Sequence, residues 1–107
     1  MKDLTLEQLT FAHFCGLLNS RFRVRAGDGM SVDLELIEAV RDAPAAGRHA
    51  ETFSLLFNGP VHPTLPQRIH RFEHDAVGRF DLFIVPVGRN PGGIQYQAIF
   101  NRLTKPA

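Results

Sequence analysis

Two alternating runs flank a Gly-Asp-Gly triplet, and they restrict this chain more than any other feature. Before the triplet, Phe22, Val24 and Ala26 alternate with Arg21, Arg23 and Arg25. After it, Met30, Val32, Leu34 and Leu36 alternate with Ser31, Asp33 and Glu35. A period of two marks a strand with one dry and one wet face. With Gly27-Asp28-Gly29 as a hairpin loop, Ala26 faces Met30, Val24 faces Val32 and Phe22 faces Leu34. The same register sets Arg23 beside Asp33 and Arg21 beside Glu35 on the other face. A slip of one residue ruins both faces together, so the register is strongly specified. The spacing predicts an antiparallel hairpin of strands at about 20–26 and 30–41.

Four more strands follow from the same period, at about 52–58, 69–75, 80–87 and 94–103. The first carries Phe53, Leu55 and Phe57 on one face, and the last carries Ile94, Tyr96, Ala98 and Phe100. Leu82-Phe83-Ile84-Val85 is apolar on both faces, which predicts a central strand. Pro86 cannot donate to a ladder, so a bulge or strand end is expected there. Residues 42–50 read as an exposed connection and 88–93 as a turn.

Helical spacing occurs only in the first twenty residues. Thr5-Leu6-Glu7-Gln8 fits a capping box, and Phe11, Phe14, Cys15 and Leu18 recur at three and four. This predicts a helix over about 6–15, stopped by Gly16 and Asn19, with Cys15 buried on its apolar stripe. At 107 residues with nine Phe, the chain has the length for one domain and the side chains for one core. The fold class expected is mainly β. A six-stranded antiparallel sheet curls into a small barrel or sandwich, preceded by one N-terminal α-helix that covers an open face or mouth.

The chemistry-bearing residues fail on spacing or on facing. Twelve Lys+Arg against eleven Asp+Glu is no basic excess, and Phe22 between the arginines points inward, so no nucleic-acid partner is expected. One cysteine excludes an intrachain disulfide and a Cys-rich metal site. No apolar run approaches membrane-spanning length and the N-terminal residues lack a signal h-region, so no membrane partner and a cytoplasmic setting are expected. His70 and His74 share a strand face but stand roughly 13 Å apart, too far to share one ion directly, and both read as half-exposed strand histidines. No Gly-x-Ser-x-Gly elbow exists, and His13 is two residues from Cys15, on another helix face. Glu73-His74-Asp75 is the densest ionisable cluster. Adjacent strand residues face opposite ways, so the cluster reads as charge protecting an open sheet edge. Gly88–Gly93 lacks the Gly-Lys-Ser/Thr ending of a phosphate loop and precedes a strand. No catalytic residue, cofactor or metal site is predicted.

One segment invites a partner. Gly59–Arg68 is longer than a hairpin needs and carries three prolines that stiffen it. Val61 and Leu65 are its candidate apolar anchors, with His62, Gln67 and Arg68 as a polar rim. In the competing reading, Leu65 tucks back to close the barrel end.

Several stretches together resemble a known family: Phe53-Ser54-Leu55-Leu56-Phe57-Asn58-Gly59-Pro60, Leu65-Pro66-Gln67, Phe72-Glu73-His74 with Gly78, Phe83-Ile84-Val85-Pro86-Val87-Gly88, and Tyr96-Gln97-Ala98-Ile99-Phe100-Asn101. The family is one of short bacterial proteins described only as a domain of unknown function. The resemblance implies an all-β module, set among phage-derived, tail-fibre-like proteins, and brings no catalytic residues. The function expected first is therefore a non-catalytic interaction or structural module with a protein partner, accessory to a larger, phage-tail-like assembly. The second is a barrel for a small apolar ligand, its interior lined by Phe22, Phe53, Phe57, Phe80 and Phe100. The third is an enzyme of unidentified class. Nothing in the sequence specifies the oligomeric state.

Overall fold

A computed structural model of the chain describes residues 9–26, 29–42, 50–62 and 64–103. The hairpin forms in the register that both faces require. Strand β1 (Arg21–Arg25) pairs antiparallel with β2 (Ser31–Asp42), with Arg23 opposite Asp33 and Phe22 opposite Leu34. Its loop residues Gly27 and Asp28, and most of the 42–50 connection, lie outside the described residues. Then come β3 (Ala50–Gly59), β4 (Arg68–His74), β5 (Gly78–Asn90) and β6 (Gly93–Leu103).

The six strands close into an antiparallel barrel in the order β1-β2-β3-β6-β5-β4. Closure is made by β1 and β4, where Val24 lies opposite Phe72. Strand β4 therefore has a neighbour on each side, and the expected open edge at Glu73–Asp75 does not exist. Alternation along one strand reveals its faces but not its neighbours, so closure was not readable locally. Two bulges bend the long strands, at Leu36/Glu38 in β2 and at Pro86/Gly88 in β5. The second is the bulge expected at Pro86. Because it absorbs the missing donor, the ladder resumes as far as Asn90–Gly93, and the turn expected over 88–93 shrinks to Pro91 and Gly92.

Next to that turn β6 begins hard against β3. Gly93 has φ 139°, and a Cβ there would collide with the Gly59 carbonyl oxygen, so only glycine fits the approach.

The interior is filled with aromatic rings. Phe11, Phe14, Phe22, Phe53, Phe57, Phe72, Phe80 and Phe100 form one network with centroid separations of 4.4 to 6.2 Å. Of the nine phenylalanines, only Phe83 stands outside it.

The helix α1 (Phe11–Cys15) plugs the mouth where β1 begins. Within the described residues it starts later than the expected residue 6, because Thr10 is its N-cap. The His13 N–H donates to Thr10 Oγ1 (3.3 Å) and the Thr10 N–H donates to His13 Nδ1 (3.1 Å). This capping box uses His where the usual pattern has Glu or Gln. The Thr5–Gln8 box lies outside the described residues. Phe14 is fully buried against Phe53, Phe80 and Phe100. With only five residues in the helix, the stripe lasts little more than a turn. Cys15, expected to be buried, is half-buried, and Leu18 is exposed. Asn19, at φ 68°, turns the chain into β1, and its N–H donates to the Leu36 carbonyl.

Candidate functional site

The loop between β3 and β4 divides into a buried half and an exposed half. Leu65 is 1% exposed, and its N–H donates to the Tyr96 hydroxyl at 2.9 Å, itself inside the barrel. Leu65 thus closes the barrel end and is not open to a partner as an anchor. Val61 is half-buried, while His62, Gln67 and Arg68 are exposed. The segment from Gln67 leads directly into the outer surface of β4.

The ionisable cluster is richer than the sequence reading allowed. A depression of about 310 Å³ beside β1 and β4 gathers Arg21, Arg23 and Arg79 with Asp33, Glu73, Asp75 and His74. Across its floor the register sets Asp33 beside Arg23, Arg23 beside Glu73, and Glu73 beside Arg79. Signs alternate over four strands, and three arginines against three carboxylates leave the depression without a net charge for an ion. Glu73 also pairs with Arg25 at 3.5 Å.

His74 sits where this ladder meets the barrel mouth. Its Nδ1 accepts from the Ala76 N–H (3.0 Å), so the proton is on Nε2, which donates to Ser20 Oγ at 3.0 Å. Ser20 in turn donates to the Leu17 carbonyl, and the ring lies against Phe22 at 4.6 Å. Burial holds the imidazole below its ordinary titration range, and the Asp75 carboxylate offsets part of that shift. Both ring nitrogens are engaged by the protein, an arrangement suited to tying the β4–β5 turn to the α1–β1 junction.

His70, expected half-exposed, is buried: Nε2 lies 2.9 Å from the Pro66 carbonyl oxygen and Nδ1 lies 3.3 Å from that of Arg25. It anchors the exit of the long loop. Among the described residues no three His, Cys, Asp or Glu side chains are grouped to hold a metal ion.

The feature missed from sequence is on the outside. Phe83 and Ile69 are direct cross-strand partners pointing away from the core, 47% and 63% exposed. Ile99, 68% exposed, follows on β6; it and Phe83 each lie two residues beyond the Val85–Gln97 pair. The run Leu82–Val85 is apolar on both faces and was expected to be central. Of this run only Leu82 and Ile84 are buried, because no described element covers the outer face. The signal was present in the sequence, but apolar on both faces does not say whether the cover is intramolecular.

These observations define a closed antiparallel β-barrel, filled by its own side chains, whose distinctive surface is an external apolar face beside a charged ladder. Residues 9–100 match the model of the family described as Domain of unknown function (DUF6916), and the chain belongs to that family. No curated protein and no solved structure matched the chain. No helix among the described residues is long and apolar enough to cross a membrane.

Proposed function

We propose that this barrel is a non-catalytic module that works in the cytoplasm by docking a folded protein on the outer face of β4, β5 and β6. The observation that carries the reading is the pairing of Phe83 with Ile69 on the surface, when every other phenylalanine belongs to the internal network. Large apolar side chains clustered on a surface mark interaction sites. The partner this face fits has an apolar centre with charges of both signs around it. Arg71 and Asp81, 2.6 Å apart, flank the apolar pair along the strands, and Gln67 and Arg68 lead into it from the loop.

The two other readings have less support. The interior that a small ligand would need is occupied by the ring network, consistent with the limited volume of a six-stranded barrel. His74 and Glu73, the best acid–base candidates, are engaged with Ser20, Ala76 and Arg25.

A photoreactive phenylalanine analogue placed at position 83, 69 or 23 in the full chain, irradiated in living cells, tests the docking face. The reading expects protein crosslinks from positions 83 and 69 and few from 23. Equal yields at all three, or yields confined to 23, overturn it.

A further inference from the structure

We infer that the protein seated on this face is a second copy of the chain, related by a two-fold axis parallel to β4 and β5 and midway between them. The inference rests on the docking reading above and adds the identity of the partner.

The argument is the pairing pattern of the β4–β5 ladder. On its outer side three successive pairs stand opposite one another: Ile69 with Phe83, Arg71 with Asp81, and Glu73 with Arg79. Each pair is apolar with apolar, or positive with negative. A two-fold axis lying in the contact plane between the strands exchanges the members of every pair. Ile69 of one copy then meets Phe83 of the other, Arg71 meets Asp81, and Glu73 meets Arg79, each contact occurring twice. An isologous interface demands self-complementarity of this kind. An axis along the centre of β5 alone would instead set Asp81 against Asp81.

Size and charge agree. With the flanking Ile99, Val85 and Leu56, the face offers on the order of 400 Å² of apolar surface, about the apolar share of a standard interface of roughly 800 Å² per partner. The net charge of +1 puts no large repulsion between copies. The barrel leaves no strand edge in this region, so association proceeds face to face rather than by extending the sheet. The short Arg71–Asp81 pair is half-exposed in one copy and becomes part of a four-residue network in two.

The test is a charge swap followed by mixing, read by sedimentation of the purified full chain. The parent is expected to sediment as a dimer, twice the 12.0 kDa of one chain. Arg71→Glu makes position 71 acidic beside Asp81, and Asp81→Arg makes position 81 basic beside Arg71. Each variant alone repels its own copy, weakening the dimer by about tenfold or more. Mixed one to one, the two attract, and a dimer containing one of each returns. A role confined to the intramolecular pair is not rescued by mixing. Phe83→Ser gives a second arm: dimer loss is expected, with a melting temperature unchanged at dilutions where the parent too is monomeric. A monomeric parent, single variants that dimerise like the parent, or a mixture that stays monomeric overturns the inference. A monomeric parent that still crosslinks through position 83 to a different protein in cells sinks the second copy and leaves the docking face standing.

Discussion

Tyr96→Phe removes one oxygen atom from the barrel interior and tests whether the long loop is fastened there. The Tyr96 hydroxyl accepts the Leu65 N–H at 2.9 Å, and both residues are 1% exposed. The substitution keeps the ring and its packing but leaves a buried backbone donor unpaired, which costs about 1–3 kcal/mol. Near the melting point a domain of this size loses about 4–5 °C per kcal/mol, so the expected drop is about 4–15 °C. Leu65→Ala removes the plug itself and leaves a cavity, costing about 2–5 kcal/mol. Val61→Ser, at a half-buried position of the same loop, costs under about 1 kcal/mol. Thermal melts by circular dichroism, with urea titrations, read all three, and amide exchange reports the Leu65 N–H directly. Tyr96→Phe melting within about 2 °C of the parent, with unchanged Leu65 exchange, would refute the fastening.

The remaining expectations concern His74, Gly93 and Cys15. Burial favours neutral His74 in the folded chain, so the fold binds fewer protons than the unfolded chain. His74's contribution is therefore whole above its ordinary value of 6.5 and is lost as pH falls below it. Melting temperatures between pH 7.5 and 5 should fall less steeply for His74→Gln than for the parent, and equal slopes would count against the latch to Ser20. Gly93→Ala forces a Cβ toward the Gly59 carbonyl and should destabilise by roughly 1–3 kcal/mol; a neutral result in urea would show that β3 and β6 separate easily there. Half-buried Cys15 should react with a thiol reagent in the native state, more slowly than in urea, and complete protection until unfolding would contradict its exposure.

The parts of this fold legible from sequence are those over-determined by two patterns at once. In the first hairpin, Arg23 opposite Asp33 satisfied the charged face and Phe22 opposite Leu34 the apolar one, so one register served both. Pro86 announced its bulge because a missing donor is a local fact. The Thr10 cap of α1 was harder to read, since it is closed by His13 where the usual box has Glu or Gln. Closure depends on β1 meeting β4 across 45 or more residues, which neither strand encodes by itself. Phe83 lies in a run apolar on both faces, which does not say which face is covered, and no described element covers its outer side. His70 looked like a surface residue because its partners, the Pro66 and Arg25 carbonyls, are backbone groups without sequence identity. The candidate site was therefore present in the sequence as residues but not as a place.

Amide chemical shifts followed as the purified chain is concentrated test the docking face most directly. The proposed arrangement expects progressive shifts at Ile69, Arg71, Asp81 and Phe83, with α1, Leu65 and the β3 core unmoved. Shifts that instead gather at α1 or around Leu65, or spectra that do not change with concentration while position 83 fails to crosslink in cells, would contradict it.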